Sequence, residues 1–365
     1  MRPLYFSDLS KLNTFIKGQK FTQKTKHHTM KFIILSILIT AISFDPLFAD
    51  HHKSQDQKEE DVAGSFPLQG WWKFESKPDA GEKIVKYMVS WVDKKTGIQN
   101  LVDMNIEPSS KEIGHITRVF QVPTANPKVH NRLWVNNNGD YGKTTQVVEG
   151  NSMIATVVGS TSNGLLSAVI HTTWNAEKNE AQQFMSNVID ENSDFKTKTN
   201  TLFGKKISYN PLKNGDAIMS KERQINPERM DGRLNRLLGK WNRTNEARDS
   251  KKIETFTAIV KGAAMLEKFS FYQIEGDSES LNGGGYQLSV KDRSNGKLSM
   301  WFINKNKFNH AGYWQIEGDK TFIQNYLNRR YVREVSNDKE VRAFYQMLKD
   351  GSYQSQKTMI FNKTP

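Results

Sequence analysis

The sequence predicts an all-β protein made of two tandem antiparallel β-barrels joined by a polar linker with a short helix. Three observations lead to this prediction. Apolar, β-prone segments alternate with glycine-containing turns, two blocks of the chain repeat the same motifs, and 365 residues is the length of about two ordinary domains.

Strand signals dominate both blocks. Residues 84–92 and 165–173 are rich in branched and aromatic residues in the first block, as are residues 265–274 and 298–303 in the second. Glycine between such segments supplies the positive φ that tight hairpins require. Because no helical periodicity separates the segments, we expect antiparallel sheets. Their closure into barrels would leave no exposed strand edge.

The two blocks, residues 66–209 and residues 235–365, carry related motifs in the same order and at a nearly constant spacing. The matched pairs are Trp72 with Trp241, Trp134 with Trp301, Gly150 with Gly318, and the segment after Phe184 with the segment after Phe344. We interpret this order as an internal duplication with diverged loops, so that each copy is one barrel.

A polar linker, residues 210–234, separates the blocks. Near its end Asn226 and Pro227 are suited to the N-cap and first position of a short helix. Ahead of the first block, residues 50–65 are polar and charged with few apolar side chains, and we expect them to be a disordered tether.

Residues 30–49 have the pattern of a secretory signal peptide, with an apolar run at residues 32–42 and Ala49 at a plausible cleavage point. The run is shorter than the roughly 20 residues that span a bilayer. We expect a periplasmic or secreted protein, and the alternative is a buried helix of a folded domain. Met30 is then the expected start, with residues 1–29 a non-native extension or a long basic leader.

Composition limits the classes of function. The absence of cysteine excludes disulfides, a cysteine nucleophile or metal ligand, and a lipid-modified cysteine. The formal charge of +13 comes from basic residues scattered singly or in pairs, which is typical of a solvated surface. Peripheral contact with an anionic envelope surface is the alternative, and no specific nucleic-acid binding is predicted.

Catalytic motifs are missing from the sequence. It has no nucleophile elbow, phosphate loop or dinucleotide fingerprint, and its histidines lack the convergent spacing of a zinc site. We therefore predict no catalytic residue, no metal and no cofactor. An enzyme of unknown class is the least favoured reading.

Tryptophans are the strongest candidates for a binding site, with core packing as the alternative. The repeat places Trp134 and Trp301 at equivalent positions in the middle of the two barrels, where we expect them to line a ligand pocket. Tyr286 and Trp91, in other predicted strands, complete the aromatic candidates.

His171 is the polar candidate. It lies in an alternating strand on the same side as Val169 and Thr173. We expect it inside the first barrel, where it would form a hydrogen bond with a ligand carboxylate or carbonyl. The alternative is a histidine whose partners are protein or water.

A set of motifs in the second block points to a family. In order they are L-G-K-W at residues 238–241, M-L-E-K-F at 265–269, G-G-Y-Q-L at 284–288, D-x-x-x-G-K-L at 292–298, Trp301, and G-Y-W-Q-I-E-G-D at 312–319. Residues 227–365 thereby resemble bacterial lipocalin-like β-barrel domains of unknown function. The first block follows the order more loosely, with Gly114 alone in place of the Gly-Gly pair.

The resemblance implies an up-and-down lipocalin-like barrel around an apolar or amphipathic interior, with Trp72 and Trp241 closing the bottoms of the two barrels. It implies no enzyme activity. Barrels of similar shape that hold haem use a histidine near the last strand, and residues 356–361 contain none. We therefore do not predict haem.

These inferences predict an exported protein that binds a small lipophilic or amphipathic ligand inside a barrel. An apolar wall would supply affinity and a few polar groups would fix orientation. The alternative is an envelope interaction or scaffold protein whose barrels are filled by their own side chains.

Overall fold

The computed structural model describes residues 68–77, 83–106, 113–161, 164–190, 196–209, 211, 224–245, 249–305 and 307–364. The predicted signal segment, the predicted tether and most of the predicted linker lie outside these residues. Glu59–Pro365 form one compact unit. Across the described part of the chain, no helix is long and apolar enough to cross a membrane.

The sheet of the first barrel has eleven strands, and all but β10 form its ring: β1 (Gly70–Ser76), β2 (Val85–Val92), β3 (Gln99–Ile106), β4 (Ile113–Pro123), β5 (Val129–Asn136), β6 (Tyr141–Glu149), β7 (Ser152–Thr161), β8 (Gly164–Asn175), β9 (Glu180–Asp190), β10 (Lys196–Lys198) and β11 (Leu202–Ile207). Neighbours in the chain pair from β1 to β9, and β11 closes the ring between β9 and β1. The short β10 pairs with β9, beside the closed ring.

Ten strands form the second barrel: β12 (Gly239–Asn245), β13 (Ser250–Ile259), β14 (Ala264–Glu275), β15 (Ser278–Lys291), β16 (Leu298–Asn304), β17 (Lys307–Glu317), β18 (Thr321–Tyr326), β19 (Arg329–Val335), β20 (Lys339–Met347) and β21 (Tyr353–Thr364). Each pairs antiparallel with the next, and β21 pairs with β12. The predicted fold class, two tandem antiparallel barrels, is confirmed.

A 3-10 helix, Gly232–Leu237, leads into the second barrel. Its N-cap is Asp231, whose carboxylate accepts a hydrogen bond from the backbone N–H of Arg233. The helix therefore begins later than the Asn226 and Pro227 signal indicates, because Asn226 instead accepts from Glu228 N within a preceding turn.

The internal repeat is also confirmed at the level of two barrels. Trp72 and Trp241 lie in the first strand of their barrels and are almost completely buried. Gly150 and Gly318 lie in the turns after the sixth strands, with φ of 55° and 59°. Their left-handed conformation is the one that glycine adopts without strain.

The interior face of the first barrel is identified by one apolar cluster to which strands all around the ring contribute. It contains Trp72, Phe74, Met88, Leu101, Val119, Trp134, Met153, Val157, Ala168 and Ala181. Because side chains alternate between the two faces of a strand, the intervening residues face outward.

On β3, β4 and β5 that outward face is not exposed to water. Met104, Phe120 and Leu133 on it are completely buried, in a cluster that also contains Leu288 and Trp301 from the second barrel. The two barrels therefore share an apolar core between their outer faces. The consequence is that both faces of these strands are buried.

Candidate ligand site inside the first barrel

β5 brings three candidate binding side chains to the barrel interior. His130, Arg132 and Trp134 alternate with Leu133 and its outward-facing neighbours, which pack toward the second barrel. Since the apolar face of β5 is used for contact between barrels, its polar face points inward. In a half-exposed strand the apolar face usually points to the core and the polar face to water, and β5 has the opposite arrangement.

Arg132 is a buried cation that has no carboxylate of its own. Its exposed fraction is 8%, and its Nη1 donates to Gln146 Oε1 at 2.8 Å. Its Nε has no hydrogen-bond partner, and no carboxylate forms an ion pair with it, among the described residues. Burial lowers the pKa of Arg132 to about 10, so the guanidinium remains charged at neutral pH.

Four more buried side chains present unused nitrogens beside Arg132. In the described ranges no partner is found for either ring nitrogen of His130, for Trp134 Nε1, or for the side-chain nitrogens of Gln146 and Gln99. We call these five residues (Gln99, His130, Arg132, Trp134 and Gln146) the donor cluster. Burial and the nearby Arg132 charge lower the pKa of His130, so it is neutral near pH 7, with one donor and one acceptor nitrogen.

Strand pairing brings the donor cluster together. His130 pairs across strands with Gln146, and Arg132 pairs with Gln121. Gln121 donates in turn to Gln99 Oε1 at 3.0 Å. Directly paired residues on one face have Cβ atoms about 5 Å apart, so these side chains share one region of the interior.

Across the ring, most inner-facing side chains are apolar and partly open to solvent, with Thr172 and Gln183 as polar members between them. The apolar members are Leu166, Ile170 and Trp174 on β8, Met185 and Val188 on β9, and Leu202 on β11, which we call the apolar wall. None of them is fully buried, although all face the interior. Met185, paired with Ile170, is 36% exposed. The side chains of the barrel therefore cover this wall only in part.

Two glycines make room for Trp134. Its indole lies against Gly142 on β6 and Gly159 on β7, and a Cβ atom at either position would collide with the ring. Absence of a side chain at both positions lets the indole lie against the barrel wall.

The second barrel has a different interior, occupied by a balanced ion network. Arg333 forms paired hydrogen bonds with Glu340 at 2.9 and 2.8 Å and reaches Glu254 at 3.2 Å. Arg342 binds Glu254 and also donates to Glu340 at 2.6 Å. Arg333, Glu254 and Glu340 have no exposed surface. Each charge thus has an opposite charge beside it, as buried ions require.

Glu267 lies next to this network. It accepts from Gln287 Nε2 at 3.1 Å, and Gln287 in turn accepts from the hydroxyl of Tyr326 at 2.9 Å. Burial and the neighbouring charge of Glu254 raise the pKa of Glu267 to about 7, so a large fraction of it is protonated at neutral pH.

The structure divides the predicted site residues. Trp134 is inside the first barrel, as expected. Trp301 faces outward from β16 and packs on the first barrel, with Tyr141 at 6.4 Å and Lys143 Nζ at 4.5 Å from the ring centre. The expected interior position of Trp301 is wrong by one residue, because Met300 occupies the inner face.

Tyr286 and Trp91 also face outward. Tyr286 packs edge-on against Phe120, with ring centres 5.6 Å apart, and its hydroxyl donates to Asp93. Trp91 lies under the guanidinium of Arg118, at 5.8 Å. Both therefore belong to the boundary between the barrels, where their large rings are packed against the other barrel.

His171 shares a face with Val169 and Thr173, as predicted, but that face is the outer one. Its ring stacks on Phe184 with centres 4.6 Å apart, and Nε2 lies 2.8 Å from Ser186 Oγ. The interior face of β8 belongs to Ala168 and the alternating residues after it.

The donor cluster was missed in the sequence, because the polar face of β5 resembles a solvent-exposed face. The sequence does contain one indication of the donor cluster. The opposite face of β5, with Leu133 and its neighbours, is apolar, which indicates that another part of the protein packs on it. Only the contact between barrels reveals which face is inside.

No group of acidic residues and histidines that could hold a metal is present in the ranges described. No family model matches the chain, and no curated protein matches it. A solved structure is similar to it: a protein of unknown function from the DUF3598 family of Nostoc punctiforme. Sequence identity is 10%, the match covers 82% of this chain and 97% of that chain, and the TM-score is 0.18.

Proposed function

We propose that the protein binds a small lipophilic or amphipathic molecule inside the first barrel. The observation that carries the proposal is the apolar wall, whose side chains point into the barrel but remain partly accessible to solvent. Accessible apolar surface inside a concave site is typical of ligand pockets. Each methylene of a ligand buried there would contribute about 0.8 kcal/mol.

The contrast between the barrels supports the same assignment. The middle of the second barrel is occupied by a network in which each arginine contacts glutamates, whereas the first barrel combines an accessible apolar side with a polar side whose Arg132 has no ion pair among the described residues. We therefore assign the ligand to the first barrel alone. Binding in a lipocalin-like manner, through the open end of the barrel, is part of this proposal.

Titration with a neutral fluorescent lipophile, N-phenyl-naphthylamine, tests the proposal. We expect one molecule bound per chain. Ile170→Asp places a charge in the apolar wall and is expected to weaken binding by about tenfold or more. Thr173→Asp, on the exposed outer face of the same strand, is the matched control and should bind normally.

Failure of the wild-type protein to bind the lipophile would contradict the proposal, as would equal binding by folded Ile170→Asp. Circular dichroism and a thermal melt of both variants establish that they are folded. A control variant that loses binding as completely as Ile170→Asp would place the probe outside the barrel.

Export is a separate part of the proposed function. We place the protein in the periplasm or outside the cell, with cleavage of the signal segment near Ala49. N-terminal sequencing of protein recovered from its host tests this. A first residue near Asp50 is expected, and a retained apolar segment in cytoplasmic protein would contradict it.

A second candidate function is an interaction or scaffold protein of the cell envelope. The specific observation in its favour is exposed apolar surface on the outer face of the first barrel, where Val158, Leu165 and Ile189 are 53%, 63% and 51% exposed. Co-sedimentation with anionic lipid vesicles tests peripheral contact with an envelope surface. Binding to vesicles without lipophile binding would favour this second function.

A further inference from the structure

The interior of the first barrel holds a buried cation, Arg132, with which no carboxylate among the described residues forms an ion pair; Asp103 attracts it electrostatically without contacting it. Asp103 faces the same interior but is held by Lys86, whose Nζ lies 2.6 Å from Oδ2 and also donates to Gln183. Asp140 accepts from Asn136 at 2.9 Å. Arg132 is left with neutral hydrogen-bond partners among the residues described.

An uncompensated buried cation is costly to the folded protein. The chain solves the same problem in its second barrel by surrounding each arginine with glutamates. Nothing equivalent serves Arg132 within the described residues. The missing negative charge is therefore expected to come from a bound molecule.

The surroundings of Arg132 have the chemistry of an oxyanion site. The unused groups of the donor cluster are nitrogens: Arg132 Nε, Trp134 Nε1, the amide nitrogens of Gln99 and Gln146, and the ring nitrogens of His130. All five side chains are more than nine-tenths buried. Oxyanions accept several hydrogen bonds at once, and those from charged donors are the stronger ones.

We propose that the donor cluster binds the oxyanion headgroup, carboxylate or phosphate, of a single-chain amphiphile whose alkyl chain lies on the apolar wall. The inference rests on the proposed function and names the substrate class of the same site. Donors on β3, β5 and β6 face the apolar wall of β8, β9 and β11 across one interior, so a molecule with a charged end and an apolar chain matches both.

Calorimetric titration of the full protein with dodecanoate, dodecyl phosphate and dodecanol tests the inference, because these share one chain length. Either anion should bind about tenfold or more tightly than the alcohol, and the tighter anion identifies the headgroup. Arg132→Met retains the aliphatic stem and removes the charge. It should abolish the difference between anion and alcohol while leaving dodecanol affinity within about twofold.

Arg236→Met is the matched control, because Arg236 is exposed on the 3-10 helix outside the barrel interior. It should retain the full preference for anions. A second measurement does not depend on any ligand: since Arg132→Met removes an uncompensated buried charge, the unliganded variant should unfold at the same or a higher denaturant concentration than wild type.

The outcomes separate the two proposals. Equal affinity for anion and alcohol would overturn the headgroup inference while supporting a lipophile site. Binding of none of the three would overturn both. An anion preference that survives in Arg132→Met, or a marked loss of stability in that unliganded variant, would show that Arg132 has another role and would overturn the inference.

Discussion

The indole of Trp134 lies against Gly159, so that no side chain fits between them. The two residues belong to β5 and β7, with Gly142 of the intervening strand completing the contact. The two glycines thus leave the space that the tryptophan ring occupies. The position of the ring depends on two residues that have no side chain.

Gly159→Ala should therefore destabilise the protein. The added Cβ collides with the indole and, because β7 is paired on both sides, neither group can move freely. Overpacking of this kind costs about 1–3 kcal/mol. Urea unfolding measures it. Val158→Ala, at the exposed neighbouring position, should change the free energy of unfolding by less than about 0.5 kcal/mol, and equal effects would refute the packing argument.

Arg333→Met should destabilise the second barrel strongly. The substitution leaves Glu254 and Glu340 without one of their buried cations, and breaking such a pair costs about 3–5 kcal/mol. Lys251→Met removes a partly exposed pair with Glu279 and should cost less than about 1 kcal/mol. If the two variants lost comparable free energy of unfolding, burial would not be the reason that the network stabilises the second barrel.

Glu267 should make stability depend on pH. The pKa of its carboxyl is about 7 in the folded protein against an ordinary value of 4.5, so between these values the folded chain keeps a proton that the unfolded chain has released. Stability from this group is therefore lost as pH rises from 4.5 to 7. The charges of Lys252, Arg333 and Arg342 oppose the rise in pKa.

Glu267→Gln removes this titration. The free energy of unfolding of the variant, relative to wild type, should increase by about 1–3 kcal/mol across that pH range and then level off. Denaturant unfolding at several pH values measures the difference, in which histidine titrations common to both proteins cancel. A flat difference for Glu267→Gln would contradict the raised pKa.

Trp301→Ala should reduce stability without changing ligand binding. The side chain is 7% exposed and packs between the barrels, and truncating a buried tryptophan costs about 3–5 kcal/mol. Trp134→Ala, inside the first barrel, should weaken binding of the neutral lipophile as well. If Trp301→Ala lost the lipophile at unchanged stability, the original expectation of a pocket at Trp301 would be restored.

Much of the fold was predictable, because strands and hairpins are encoded locally. The turns at Gly150 and Gly318 require left-handed backbone, and glycine marks them in the sequence. The order of matched motifs likewise placed Trp72 and Trp241 in the first strand of each barrel. The short helix is found later than predicted, at Gly232–Leu237, because the Asn226 side chain caps a turn at Glu228 while Asp231 caps the helix.

The site was less predictable, because inside and outside are not local properties. Trp301 and Met300 are adjacent and both apolar, and only the ring of strands decides which one points inward. Arg132 is misleading for a different reason. A charged residue on an alternating strand normally indicates the face that points to water, whereas Arg132 points inward. The contact between barrels reverses that rule for β5, and no pattern within β5 reports the contact.

Closure of each barrel by its first and last strands has a consequence for biosynthesis. β1 cannot acquire β11 as a neighbour until that strand has left the ribosome, so each ring completes late, through contacts distant in sequence. Until the second ring forms, the apolar outer surface around Phe120 and Leu133 has no cover. The nascent first barrel is thus a vulnerable species, and synthesis that stalls between the two rings would favour aggregation.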